Sequence, residues 1–89
     1  MNAVFLNIDE KRIVPDLQEA GKKLDGTEGE VVLDLSSVRR IDASALVAIE
    51  ELARTAGEKS VKVALRGVNV DVYKVLKLVK LTNRFSFVN

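Results

Sequence analysis

The chain has 89 residues, 47% hydrophobic and 30% charged, which is the balance of one small globular domain and not of a disordered or membrane-spanning chain. Fourteen Lys and Arg against thirteen Asp and Glu leave a net charge of +1, too little to pull nucleic acid from a distance. With neither cysteine nor histidine present, disulfide frameworks, thiol catalysis, histidine-ligated zinc and Ser-His-Asp chemistry are excluded.

In chain order, Ala3 to Ile8 predicts a first strand. Pro15 is placed to open a helix running through Leu24, with Val14, Leu17, Ala20 and Leu24 on one face. Asp25-Gly26 and Gly29 mark a turn. Val31, Val32, Leu33 and Leu35 then form an apolar run of the kind expected for a strand covered on both faces of a parallel sheet. After a polar turn, Asp42 is a good N-cap for a helix from Ala45 to Ala56, which Leu46, Ile49, Ala53 and Ala56 turn inward and Gly57 stops. Ser60 to Leu65 alternates as a strand. Gly67-Val68-Asn69 leads into a third helix with Val72, Val75, Leu76 and Val79 toward the core, and Phe85 to Val88 predicts a last short strand. The order β, α, β, α, β, α, β, with no linker or internal repeat, predicts a single α/β domain over residues 1–89. Its expected architecture is a mainly parallel four-stranded sheet with three helices.

Few chemistries remain open to such a chain. No G-x-G-x-x-G follows a strand, no phosphate-binding loop is present, and Gly21-Lys22-Lys23 falls inside a predicted helix, so no cofactor and no metal are expected. The carboxylate pairs Asp9/Glu10 and Glu50/Glu51 are adjacent in sequence and diverge on a helix, which makes them solvated charge and not a general acid and base. Lys74, Lys77, Lys80 and Arg84 form a basic stretch with little aromatic interleaving, so no nucleic-acid binding is expected. No run approaches the roughly 20 apolar residues of a membrane span, and the start MNAVFLNIDEKR lacks a secretion-signal pattern; the expected location is the cytoplasm, without direct membrane insertion. A chain this short buries only roughly 60 to 65% of its unfolded surface, so a partner protein or a second copy in a homodimer is expected to cover more.

The most informative segment is VVLDLSSVRRIDASAL at residues 31–46. With Asp42 as the cap, Ser44 stands at the second position of a helix, where unpaired N–H groups and the helix dipole favour an added phosphate. On spacing alone the plainer reading, a first-turn serine hydrogen-bonded to Asp42, is preferred.

This segment resembles the strand, turn and Asp-Ser-Ser-Gly-Leu signature of the STAS family, the domain of bacterial anti-sigma factor antagonists. Residues 61–67 and 72–78 are similar to the strand and third helix that follow it. The resemblance implies a single STAS-like domain that is not an enzyme. Ser44, at the second signature serine, would be phosphorylated by an anti-sigma factor serine kinase and dephosphorylated by a serine phosphatase, so that phosphorylation switches partners and regulates transcription. The partner surface expected for this chain comprises Ser37, Arg39, Arg40, Asp42, Ser44, Val47, Glu50 and Glu51, which share one edge of the domain if the helix begins at the Asp42 cap. The first signature serine is Ala43 here, and the signature glycine is Ala45, whose methyl is expected near the surface a kinase approaches. Residues 67–78 are also similar to the small STAS subunit of a phospholipid-transport ABC complex, which would bind an ABC ATPase instead.

Overall fold

The computed structural model describes residues 3–88; residues 1, 2 and 89, at the ends of the expected 1–89 unit, lie outside the described residues. Its elements are β1 (Ala3–Asn7), a 3-10 turn (Glu10–Arg12), α1 (Ile13–Lys23), β2 (Glu30–Asp34), α2 (Ala43–Lys59), β3 (Lys62–Arg66), α3 (Val70–Leu78) and β4 (Ser86–Val88). The predicted alternation is present. The strands pair in the order β1-β2-β3-β4, and every pair is parallel.

Because each strand neighbours the next one in the chain, right-handed crossovers carry all three helices to the same side of the sheet. The core follows from this, with Val31, Leu33, Val63 and Leu65 packing in one cluster against Leu17, Ala20, Ile49, Leu52, Ala53, Val72 and Leu76. The opposite face carries the register row Phe5, Val32, Ala64 and Ser86, flanked by Glu30 and Lys62 on one side and by Asp34 and Arg66 on the other. The apolar run at 31–33 therefore does not have helices on both faces, as its sequence suggests. Val32 and Ala64 are nevertheless buried, because short side chains in the inner strands lie low between longer neighbours.

The helices depart from expectation mainly at their ends. α1 begins two residues before Pro15, which occupies the first turn, where its missing N–H costs no intrahelical bond. Ahead of it, Asp9 accepts the Lys11 N–H at 2.9 Å and donates its own N–H to Asp16 at the same distance. Val14 is only half-buried, and Leu52, absent from the predicted inward stripe, is a core residue. In α3 Val72 and Leu76 point inward, whereas Val75 is half-buried and Val79, just past the helix end, is exposed.

Gly57 does not stop α2. The helix runs to Lys59 and turns at Ser60, whose φ of 56° is left-handed. Ser60 donates its N–H to the Gly57 carbonyl at 3.3 Å and Val61 donates to Ala56 at 3.0 Å, the paired bonds of a Schellman motif. α3 ends in the same way at Lys80, with φ 63° and N–H donations from Lys80 to Lys77 and from Leu81 to Leu76. A side chain in this region costs roughly 1–2 kcal/mol, while glycine costs roughly 0.4–1 kcal/mol in unfolded-state freedom. Ser60→Gly and Lys80→Gly should thus each raise stability, by about 0.5–1 kcal/mol in urea denaturation. A loss of stability in both would refute this account of the two helix ends.

Candidate functional site

The loop between β2 and α2 is held by polar bonds to three other parts of the molecule. At its start, Ser36 donates its hydroxyl and its backbone N–H to Asp34 Oδ1, and these bonds, with Arg66 nearby, hold the Asp34 carboxyl below the usual aspartate range. Ser37 Oγ donates to the Ile8 carbonyl at 3.1 Å, tying the loop to the end of β1. The Arg39 N–H donates to Glu10 Oε1 at 2.9 Å. Asn69 does two jobs, since its Oδ1 caps α3 by accepting the Val72 N–H at 2.7 Å while its Nδ2 donates to the Val38 and Arg39 carbonyls, each at 3.2 Å. Val38 is buried beneath.

Gly67 brings the β3–α3 turn against this loop. Its φ is +72°, and a Cβ built on it would lie 2.8 Å from Ser36 Cβ and 3.0 Å from Ser36 Cα. Only glycine combines that backbone with that approach.

The loop delivers the chain to α2 with Asp42 extended at its N-cap. Asp42 Oδ1 accepts the Ala45 N–H at 2.8 Å, and the Asp42 carbonyl accepts Leu46 N–H at 2.9 Å. The cap is where the sequence places it, but the carboxylate takes the backbone of Ala45 and not the Ser44 hydroxyl. Among the described residues Ser44 Oγ makes no hydrogen bond, and the N–H groups of Ala43 and Ser44 are likewise without protein acceptors. Ser44 itself is exposed. Ala45 is 1% exposed, so its methyl points into the core and does not add bulk to the approachable surface.

α1 and α2 follow successive parallel strands and leave a groove of about 600 Å³ between them. Ser44 lies at the end where both helices begin, near Val14; Val47, Ala48 and Glu51 continue along α2, facing Leu17 and Gly21 of α1. An ion pair between Asp25 and Lys59 closes the other end. Of the sequence-derived surface residues, Ser44, Val47 and Glu51 share this groove, while Glu50 lies with Val47, Glu51 and Arg54 around a shallower depression on the outer side of α2. Ser37, Arg39, Arg40 and Asp42 are exposed on the loop outside the groove, and the Ser37 hydroxyl is occupied by Ile8. Neither loop arginine forms an ion pair among the described residues. Glu10, Gly67 and Asn69, which fix the loop, escape a site reading of the sequence. An asparagine ahead of a helix signals a cap, but nothing local signals that its amide also reaches residues 30 and 31 positions away.

No group of three or more Asp or Glu side chains among the described residues converges as a metal site, and no helix there is long and apolar enough to cross a membrane. One parallel sheet, helices on one side only and a capped, tightly held loop ahead of the second long helix define an α/β module built around that loop.

The STAS domain family matches residues 10–89, and the chain belongs to that family. Among solved structures, a sulfate transporter family protein from Wolinella succinogenes superposes with a TM-score of 0.78 at 18% identity, covering 96% of this chain and 75% of its own. A Thermotoga maritima protein described as a candidate anti-sigma factor antagonist gives 0.68 at 24% identity, covering 99% and 74%. The NMR structure of that Thermotoga protein gives 0.78 at 22%, covering 98% and 74%. At these identities the likeness is one of fold. A search of curated proteins finds no match.

Proposed function

We propose that this STAS chain is a cytoplasmic anti-sigma factor antagonist, a non-enzymatic interaction module that switches partners through phosphorylation of Ser44. One observation carries the reading: an exposed hydroxyl without a hydrogen bond stands beside two free N–H groups in the first turn of α2, at the mouth of a groove. An anti-sigma factor kinase transfers the γ-phosphoryl group of ATP to Ser44 Oγ, whose proton passes to the kinase, and a serine phosphatase later hydrolyses the ester. The phosphate brings roughly −1.5 to −2 charges and three acceptor oxygens to that turn. The free N–H groups suit it, and the nearby Asp42 carboxylate opposes it. The outcome is a folded chain with a changed docking surface.

The transporter-subunit reading rests on residues 67–78, and there the structure gives Gly67 and Asn69 work that belongs to the fold: a left-handed turn against Ser36 and the cap of α3. The anti-sigma reading rests on Ser44, which has no such structural task.

Affinity capture from the native cell followed by mass spectrometry should recover a kinase-like anti-sigma factor; an ABC ATPase in its place would overturn the reading. Incubated with that kinase and ATP, the chain should take up phosphate on Ser44 alone. Peptide mapping to Ser36, Ser37 or Ser60, or undiminished labelling of Ser44→Ala, would reject the assignment.

A further inference from the structure

β1 is an edge strand, and its outer side carries none of the features that keep such edges from pairing. Ala3–Asn7 has no charged residue and no proline, and among the described residues nothing pairs with its free side. At its centre Phe5 is 67% exposed. The direction of its free hydrogen-bonding groups is fixed by the inner pairing. Ile8 donates its N–H to the Asp34 carbonyl at 2.9 Å, so by strand alternation Leu6 and Val4 also face β2, and the N–H and C=O groups of Ala3, Phe5 and Asn7 face outward.

We infer that β1 is the dimerisation strand of this chain, pairing antiparallel with β1 of a second copy about a two-fold axis midway between the two Phe5 residues. The strand is self-complementary about that residue. In this register Phe5 lies opposite Phe5 of the other copy, and Ala3 lies opposite Asn7 in both directions. All three outward residues then exchange backbone bonds, about six in total. Shifting the register by two residues in either direction leaves outward groups unpaired.

The side chains agree with the backbone. Val4 and Leu6, only half-buried on the helix side, meet Leu6 and Val4 of the second copy, while the two phenylalanines adjoin on the sheet face that carries no helices. Within Ala3–Asn7 no like charges oppose each other across the axis. The two-fold is perpendicular to the sheet, so the product is a continuous eight-stranded sheet with both helix layers on one side, and the Ser44 groove is not consumed.

Sedimentation equilibrium of the chain should show a monomer–dimer equilibrium. Phe5→Lys, at an exposed position, should keep the circular dichroism of the parent, and its melting temperature at concentrations where the parent is monomeric, yet weaken dimerisation at least tenfold, since two ammonium groups then face each other. The chain contains no cysteine, so an introduced thiol is a clean register probe. Opposed residues of a hydrogen-bonded antiparallel pair have Cα atoms roughly 5.5 Å apart, within disulfide range, so Phe5→Cys should oxidise to a covalent dimer. Leu78→Cys, exposed on another element, should not. A chain that stays monomeric at every concentration, or a dimer indifferent to Phe5→Lys and not cross-linked through Phe5→Cys, would overturn the proposal.

Discussion

Gly67→Ala is expected to destabilise the chain by about 2–5 kcal/mol. Two costs combine. A side chain at φ +72° costs roughly 1–2 kcal/mol, and the added carbon lies 2.8 Å from Ser36 Cβ and 3.0 Å from Ser36 Cα, where relief requires moving backbone, at typically 1–3 kcal/mol. In a domain of this size each kcal/mol shifts the melting temperature by roughly 4–8 °C, so a fall of at least about 8 °C should be seen. Gly26→Ala is the matched control. Gly26 has a similar φ of +77°, but a Cβ there meets nothing within 4 Å, so it carries only the backbone cost. If the two variants melt alike, the contact between Gly67 and Ser36 contributes nothing. The prediction reaches the site as well, because Ser36 opens the loop that ends at Asp42, and displacing it disturbs the bonds to Asp34.

The sequence makes the element order and the helix-facing core legible, because period-2 and period-3.6 apolar patterns are local. Leu17, Ile49, Val72 and Leu76 are examples. The Asp42 cap is equally local and is found where it is expected. Helix ends are less legible: a glycine at position 57 looks like a stop, yet the paired bonds at Ser60 and Val61 define the end three residues later. What local pattern cannot carry is the set of links from Ser37 to Ile8, Arg39 to Glu10 and Asn69 to Val38, each joining residues about 30 apart. Nor does an apolar run reveal how many helix layers cover it. Strand order decides that, and with β1 to β4 in sequence the described helices all lie on one face and Phe5 on the other is exposed.

Stoichiometric phosphorylation of Ser44 is expected to weaken binding of the captured partner by about 100-fold or more, or about 2.7 kcal/mol, measured by titration calorimetry. The chain should remain folded, since the phosphate is exposed and the Ala43 and Ser44 N–H groups are free to receive it. The cost falls on docking. A partner seated against Val14, Val47 and Ala48 must strip water from a nearly dianionic group at the groove mouth, and nothing apolar repays that. Val47→Asp tests the same surface without a kinase. Val47 is 54% exposed, so the change should leave the melting temperature within a few degrees, while its single charge, one helical turn along the groove from Ser44, should cost about tenfold in affinity. Ser44→Ala, which adds no charge, should bind like the unphosphorylated parent. A Val47→Asp chain that keeps both its melting temperature and its affinity would move the partner off the groove and onto the loop that carries Arg39 and Arg40.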